Sequence, residues 1–246
     1  MSDAIRPLGK TYLERLGHLI PSDRSFPILC GPLRGCRWLT GAAAGWAKGA
    51  SIYFHNAENR QLASVARQTS SEDVAFDLGA NVGLYTLLFA KRGAQVVAFE
   101  PAPRNVGYLQ RTITLNRCER VDIVPFAVGR ASGLMRFSTG LNAAVGHVNG
   151  QGDALVYQIS LDDYCAFTGR YPTLIKMDVE GSELDVLRGA DAVLRRKPKW
   201  FISFHSKELR EQSIQLMEKY DYQAAPVSGR EGDSEVFFQC SVGRIP

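Results

Sequence analysis

The segment from 74 to 100, VAFDLGANVGLYTLLFAKRGAQVVAFE, constrains the fold of this chain more than any other. Two apolar runs, ending in Asp77 and Glu100, are joined by a glycine-spaced turn and a stretch with helical apolar spacing. This order predicts a strand, a tight turn, a helix and a second strand, which is a layout that binds nucleotide-type cofactors. Glycines in the turn let the backbone approach a ligand closely, and an acid about 20 residues later can accept hydrogen bonds from ribose hydroxyls.

The spacing of the turn separates the cofactors that such a layout can bind. Asn81 and Leu84 occupy the second and third glycine positions of the dinucleotide fingerprint G-x-G-x-x-G, and no G-K-[ST] triplet follows the turn. The remaining D-x-G-x-x-x-G spacing suits a cationic ligand with ammonium and sulfonium groups and no phosphate, and S-adenosylmethionine is such a ligand. The residues expected to bind it are Asp77, Gly79, Ala80, Asn81, Gly83 and Glu100. The alternative is an ordinary strand, turn and helix whose glycines serve only packing.

Strand and helix patterns alternate through the rest of the chain. Apolar spacing predicts helices over 57–68, 104–116, 182–195 and 206–220. Strands are predicted over 121–128, 134–138, 155–159, 173–177, 200–204 and 235–239. This alternation predicts an α/β fold with a doubly wound, mostly parallel sheet.

The sequence changes character before residue 71. A short helix is predicted over 11–19, and five glycines punctuate short apolar pieces between 28 and 54. We therefore expect an N-terminal helix and a β-rich or looped region over 1–70, packing on a main domain over 71–246. Within the main domain, the Gly- and Asn-rich stretch 140–152 is expected to be a mobile loop over the substrate.

Polar side chains end four of the predicted strands: Asp77, Glu100, Asp178 and His205. Because ligands of such sheets bind outside the carboxyl ends of the strands, we expect these four side chains to converge on one pocket. Methyl transfer from a sulfonium to a hydroxyl is an in-line displacement, and a base near the hydroxyl assists it. His205 is the leading candidate for this base, since imidazole titrates near neutral pH. Asp178 or Glu180 could orient His205 or accept the proton instead.

Each of these catalytic candidates has a plainer interpretation. His205 could be a structural histidine at a strand end, and Glu180 could cap the helix that is predicted to begin at Ser182. A divalent metal needs clustered ligands, and Asp178 with Glu180 alone does not form a convincing site. The sequence therefore predicts no metal.

Composition and charge exclude several classes of protein. The net charge of +4 is small, and no basic stretch interleaved with aromatic residues indicates nucleic-acid binding. Five cysteines without a C-x-x-C pair indicate neither a disulfide framework nor a zinc site. No run of 18 apolar residues and no secretory signal occur, so we expect a cytoplasmic protein without a membrane span.

Six sequence motifs are distributed over most of the chain: VAFDLGANVGLYTLL, AFEPAPRNVGYLQRTITLN, VPFAVG, SLDDY, LIKMDVEGSELDVLRGA and FISFH. Their order and spacing resemble the FkbM family of S-adenosylmethionine-dependent O-methyltransferases over 31–240. The resemblance implies a class I methyltransferase fold with a seven-stranded sheet, in which Ala127 and Asp178 also bind the cofactor. Many relatives carry a glutamate two residues before the final histidine, where this chain has Ser203.

The same resemblance implies an acceptor hydroxyl on a sugar, a glycosylated metabolite or a polyketide. Methylation at O2 of a deoxysugar, such as the fucose of a lipochitin oligosaccharide, is one such reaction. A methyltransferase acting on nucleic acid or protein is an alternative, disfavoured by the small charge and by DVEG standing where an N-P-P-Y-type motif would stand. A noncatalytic module that binds S-adenosylmethionine is a further alternative, against which the intact cofactor motif argues. The acceptor and the oligomeric state stay open.

Overall fold

The computed structural model describes residues 24–40, 42, 57–138, 147–148, 152, 154–227 and 234–240. The strands are β1 (Ser25–Pro27), β2 (Arg37–Leu39), β3 (Val74–Leu78), β4 (Gln95–Phe99), β5 (Val121–Val124), β6 (Ala127–Val128), β7 (Gly133–Ser138), β8 (His147–Val148), β9 (Ala154–Ile159), β10 (Leu174–Met177), β11 (Lys199–Ser203), β12 (Tyr222–Pro226) and β13 (Glu235–Cys240). The helices are α1 (Ala57–Arg67), α2 (Leu84–Lys91), α3 (Pro103–Leu115), α4 (Leu161–Thr168), α5 (Glu183–Arg188), α6 (Asp191–Arg195) and α7 (Lys207–Glu218).

A seven-stranded sheet in the order β12-β13-β11-β10-β3-β4-β5 forms the centre of the fold. Strands β11, β10, β3, β4 and β5 are parallel, and β13 runs antiparallel to both of its neighbours. The chain leaves β3 towards β4 and β5 and later returns to β10 on the other side of β3. The strand order therefore reverses between β3 and β10. This confirms the predicted α/β fold with a doubly wound, mostly parallel sheet.

The central strands are buried on both faces. On β3, Phe76 and Leu78 pack in one apolar cluster while Ala75 packs in a second cluster on the opposite face. Trp200 of β11 is fully buried in the first cluster, where its indole N–H donates to the Tyr222 hydroxyl at 3.2 Å. Continuous apolar runs are typical of strands covered on both faces, which explains why these strands lack an alternating pattern.

A short antiparallel hairpin of β1 and β2 precedes α1. Its neighbours Ile28 and Leu33 and its own Trp38 and Leu39 are buried in the apolar cluster that also contains residues of α1 and α2. The hairpin thus packs on the helices beside the sheet. The predicted helix over 11–19 lies outside the described residues, and the division into domains 1–70 and 71–246 stays a prediction.

Two predicted elements are each split in the structure. The strand predicted over 121–128 is two strands in different sheets, because Pro125 cannot donate to a ladder and the chain turns at Phe126, whose N–H donates to the Val124 carbonyl at 2.8 Å. The helix predicted over 182–195 is α5 and α6, separated at Gly189. A Cβ at Gly189 would lie 2.4 Å from the Gly129 carbonyl oxygen, so another part of the backbone occupies that place. Strand β12 was not predicted.

The insertion between β5 and α4 forms a second sheet in the order β6-β9-β7-β8. The predicted strands at 134–138 and 155–159 are confirmed as β7 and β9. Most of the predicted loop over 140–152 lies outside the described residues. In the part of the chain that the structure describes, no helix is long and apolar enough to cross a membrane.

Candidate active site

A cleft of about 640 Å³ opens at the carboxyl ends of β3, β4 and β10, where the strand order reverses. The residues that line it are Gly79, Asn81, Phe99, Glu100, Pro101, Asn105, Phe126, Ala127, Val128, Phe137, Asp178, Val179, Glu180 and Ser182. Of the predicted site residues, Gly79, Asn81, Glu100, Ala127, Asp178 and Glu180 lie on this cleft.

The glycines of the turn are needed first for packing. Gly79 has a φ of +77°, and a Cβ there would lie 2.0 Å from the carbonyl oxygen of Asp178. Gly83 has a φ of +94°, and its Cβ would lie 2.6 Å from a methyl group of Leu109. Ala80 is buried among Ala98 and Leu109. Neither Ala80 nor Gly83 is among the cleft-lining residues, so their contribution to cofactor binding, which stays a prediction, would be indirect.

Asp77 lies inside β3 and ties that strand to α2. Its buried carboxyl accepts hydrogen bonds from the Thr86 hydroxyl, at 2.5 Å, and from the Thr86 backbone N–H in the first turn of α2. Burial raises the pKa of Asp77 to about 6, against the opposing effects of Thr86 and the nearby Lys176. Asp77 is not among the residues that line the cleft. Its expected contact with a cofactor stays a prediction, and the geometry favours a positioning role.

Glu100, the acid after β4, reaches the cleft while holding the surrounding backbone. Its Oε2 accepts from the Asn81 N–H at 2.8 Å, and its Oε1 accepts from the Ala102 N–H at 2.9 Å and the Asn105 amide at 3.3 Å. Burial raises the pKa of Glu100. A carboxylate has about four acceptor positions, so three are used and about one is left for a ligand hydroxyl. Hydrogen bonding of Glu100 to the ribose hydroxyls of a cofactor stays a prediction.

Most residues on one wall of the cleft were not among the predicted site residues. Asn105, in the first turn of α3, is a buried polar residue, and Phe126, Val128 and Phe137 add apolar surface from the second sheet and the turn that enters it. The Phe126 ring packs at 5.0 Å from the Tyr157 ring. The segment VPFAVG signalled part of this wall through Ala127, whereas Phe137 comes from the insertion and carries no local signal.

His205 lies beside the cleft, between three carboxylates. Its Nδ1 is 2.7 Å from Oε1 of Glu183, and its Nε2 is 3.0 Å from Oε2 of Glu180 and 3.5 Å from Oδ1 of Asp178. Hydrogen bonds with Glu180 and then Glu183 raise the pKa of His205 to about 10. A ring that carries a proton on each nitrogen has no lone pair with which to accept another. The geometry therefore supports His205 poorly as the base, and its catalytic role stays a prediction.

Glu180 has a different role from the capping alternative. Helix α5 begins at Glu183, and its N-cap residue Ser182 makes no side-chain capping bond. The Gly181 N–H instead donates to the Glu183 carboxylate at 3.0 Å. The Glu180 carboxylate reaches His205, from a backbone with a φ of +51°.

Lys176 is a buried cation under the site. It lies inside the apolar strand LIKM, and it was not among the predicted site residues. Its Nζ donates to the Ser203 hydroxyl at 2.5 Å and lies 3.6 Å from Oδ2 of Asp178. It also lies 4.9 Å above the centre of the Tyr85 ring. Ser203 thus contacts a cation, and Glu235 stands opposite Ser203 in the sheet.

Comparisons with known proteins place the chain in a family. The family model described as the methyltransferase FkbM domain matches residues 77–224. A hexuronic acid methyltransferase of Haloferax volcanii is 31% identical over 134 residues, which cover 52% of this chain and 54% of that protein. The chain spans about half the length of the curated relatives it matches.

Two solved structures resemble the fold. The methyltransferase FkbM of Methylobacillus flagellatus has a TM-score of 0.55 at 22% identity, over 78% of this chain and 53% of that one. A Streptococcus mutans protein in complex with SAH (S-adenosylhomocysteine) has a TM-score of 0.50 at 7% identity, over 76% of this chain and 98% of that one. At these identities the likeness concerns the fold alone.

Proposed function

Because the chain belongs to the family of the FkbM methyltransferase domain, we propose that it transfers the methyl group of S-adenosylmethionine to a hydroxyl of a small molecule, with a sugar as the acceptor. The observation that supports this proposal is the cleft at the β3/β10 reversal, which is lined by both Glu100 and Asp178. Glu100 can accept a hydrogen bond from a ribose hydroxyl, and Asp178 can accept one from the hydroxyl to be methylated. The cleft residues fit the parts of this cofactor without a phosphate site. Bound S-adenosylmethionine would supply an electrophilic methyl group on a sulfonium.

The cofactor half of the cleft would be formed by the ends of β3 and β4 and by the second sheet. Glu100 has about one acceptor position left for a ribose hydroxyl. The backbone at Gly79 and Asn81 would border the cofactor, with Asp77 fixing the turn from below. Phe126, Ala127 and Val128 would provide apolar surface for the adenine. The turn between β3 and α2 is held by hydrogen bonds from Asn81 to Glu100 and from Thr86 to Asp77.

The acceptor half would be formed by Asp178 and its neighbours. Asp178 lines the cleft, and its side chain is 41% exposed, so an acceptor hydroxyl can approach it. Lys176 and His205 lie on either side of this carboxylate and hold its orientation. We assign the acceptor proton to Asp178, while His205 and Glu180 are positioning residues. Positioning a hydroxyl in line with the sulfonium supplies much of the rate in such a displacement.

The choice of a sugar rests on the family and on the Haloferax volcanii relative, whose name states a hexuronic acid. The charge of the cleft is compatible with hydroxyl-rich acceptors, because Asp178, Glu180 and Asn81 offer hydrogen bonds to them. Deoxysugars, glycosylated metabolites and polyketides stay in the same class of acceptor.

The test is a methyl-transfer assay with labelled S-adenosylmethionine on a panel of neutral glycosides, uronic acid glycosides, polynucleotides and peptides. We expect transfer to a glycoside, with the label on oxygen as shown by mass spectrometry of the product. Asp178→Asn should lower turnover about 10²–10⁴-fold, the usual contribution of a general base. The exposed Asp185, which pairs with Arg188, gives the matched control Asp185→Asn, expected to keep full turnover. Transfer only to polynucleotides or peptides would overturn the acceptor class.

A second comparison separates the two candidates for the base. His205→Gln should raise the KM for the acceptor and lower turnover less than Asp178→Asn does, because it removes a neighbour of the carboxylate and not the carboxylate itself. If His205→Gln is inactive while Asp178→Asn retains most of its turnover, the histidine is the base and the assignment to Asp178 is wrong.

A further inference from the structure

Three side chains beside the cleft bring ligand atoms for a cation to one point. They are Asp178, which follows β10, Glu180 of the loop that follows, and His205, which follows β11. One ligand atom from each lies within 4.8 Å of the other two. The imidazole Nε2 is 3.0 Å from one carboxylate oxygen and 3.5 Å from the other. Neighbouring ligands of an octahedral cation with bonds of about 2.1 Å stand about 3 Å apart, so this spacing is suitable for a shared ion.

A buried carboxylate behind the imidazole is the second observation. Glu183 has no exposed side-chain surface, and its Oε1 is 2.7 Å from Nδ1 of His205 while it accepts the Gly181 N–H at 3.0 Å. Its other oxygen finds no hydrogen-bond partner among the described residues. A histidine that binds a metal through one nitrogen usually donates its other N–H to such a carboxylate. This contact fixes the ring so that Nε2 faces Asp178 and Glu180.

The arrangement differs from an ordinary group of surface acids. Its three donors come from two strand ends that are adjacent in the sheet, and one donor is an imidazole whose rear nitrogen is fixed by a buried side chain. Oδ2 of Asp178 is 3.6 Å from Lys176, and its Oδ1 is the oxygen that faces His205. The sequence predicted no metal because Asp178 and Glu180 lacked a third ligand. His205, which follows β11, supplies that ligand.

We propose that Asp178, Glu180 and His205 bind one divalent cation, Mn²⁺ or Mg²⁺, at the acceptor end of the cleft. Two carboxylates and one imidazole suit a hard to borderline cation, and the cation takes the place of the proton on Nε2 of His205, which is released on binding. Three protein ligands leave coordination positions for oxygens from the cleft. If the proposed function holds, on which this consequence rests, the cation binds the acceptor hydroxyl, lowers its pKa and selects acceptors that offer two adjacent oxygens. A vicinal diol or a hydroxyl beside a carboxylate is such an acceptor.

The test uses Mn²⁺ alone as the probe, titrated into the metal-stripped full chain and followed by electron paramagnetic resonance of the free ion. We expect one Mn²⁺ per chain with a Kd below about 1 mM, a millimolar dissociation constant being the weak limit of useful binding. Glu180→Gln and His205→Gln should each raise this Kd at least tenfold. Glu183→Gln should raise it about 10- to 100-fold, the usual loss when the partner of a metal-binding histidine is changed. Asp185→Asn, which removes an exposed acid of α5 outside the group, should leave the Kd unchanged.

The proposal is overturned if the wild-type chain binds no Mn²⁺ in this range, or if Glu180→Gln and His205→Gln bind as tightly as the wild type. Circular dichroism and SAH affinity show whether each variant is folded. Glu180→Gln is the substitution least able to disturb the core, because Glu180 lies on a partly exposed loop. Mn²⁺ binding without any methyl transfer would refute the proposed function and leave the cation site standing. Full methyl transfer in EDTA without Mn²⁺ binding would do the reverse.

Discussion

At the scale of single residues, the members of the turn motif differ in their position relative to the cleft. Gly79 and Asn81 border the cleft, whereas Gly83, Ala80 and Asp77 hold the turn in place from outside it. Packing was the alternative to ligand binding in the sequence. The structure shows the packing explanation for Gly79 and Gly83, and ligand binding by Gly79 and Asn81 stays a prediction.

Gly79 gives the first prediction. A Cβ at this position would collide with the Asp178 carbonyl oxygen and would also force an L side chain to a positive φ. Gly79→Ala should therefore lower the free energy of unfolding by about 1–3 kcal/mol more than the same change at a glycine that has a positive φ but no atoms near its Cβ. This difference is the usual range for overpacking. Gly169→Ala is that control, since Gly169 has a φ of +69° with nothing within 4 Å of its Cβ. Urea unfolding of both variants measures the difference, and equal losses would show that the contact with Asp178 is unimportant.

Asp77 gives a prediction about pH. Its pKa of about 6 in the folded chain is above the usual value of about 3.9, so the folded state binds more protons between these two values. The contribution of protonated Asp77 to the free energy of unfolding is therefore fully present below about pH 4 and is lost as the pH rises through about 6. Asp77→Asn stays neutral and should raise the free energy of unfolding at pH 8 by about 1–3 kcal/mol, with the gain vanishing towards pH 4.

Urea unfolding at several pH values measures this effect. Glu72→Gln, which changes an exposed acid just before β3, is the control and should stay within about 0.5 kcal/mol of the wild type. A lower stability of Asp77→Asn at pH 8 would mean that the charged form of Asp77 is the stabilising one.

At the scale of elements, hydrogen bonds between strands and helices place the turn. The Thr86 hydroxyl joins α2 to β3, and the Glu100 carboxylate joins the end of β4 to the turn and to the start of α3. Such links cannot be derived from a local pattern, because each partner belongs to a different element. The pattern predicts the elements, and the side-chain links set their relative positions.

Thr86→Val tests one of these links. The change keeps the shape of the side chain but leaves the buried Asp77 carboxyl with one hydrogen bond fewer, and it should cost about 1–3 kcal/mol. Thr114→Val is the matched control, because the exposed Thr114 hydroxyl donates only within its own helix, to the Gln110 carbonyl. That variant should stay within about 0.5 kcal/mol of the wild type. Thermal or urea unfolding compares the two, and similar losses would argue against a special role for the Thr86 bond.

At the scale of the whole molecule, the sequence predicted the architecture better than the site. The α/β class and the parallel sheet followed from the apolar runs. Of the four side chains expected to converge on one pocket, Glu100 and Asp178 line the cleft, whereas Asp77 and His205 do not. Lys176 was missed because a lone lysine inside an apolar strand leaves the strand pattern intact. Glu183 was missed because an acid in the first turn of a helix normally faces solvent, whereas this one is buried and contacts His205, a residue distant in sequence.

The family assignment and the fold lead to one central claim, that the cleft at the β3/β10 reversal binds S-adenosylmethionine. The most direct measurement is calorimetric titration of the full chain with SAH. We expect one site in the wild type and, in Glu100→Ala, a loss of about 1.5–3 kcal/mol, the range for hydrogen bonds to a charged group. Glu119→Ala, which removes an exposed acid outside the cleft, should bind as the wild type does. Absence of SAH binding in the folded wild-type chain, or unchanged affinity in a folded Glu100→Ala, would contradict this account.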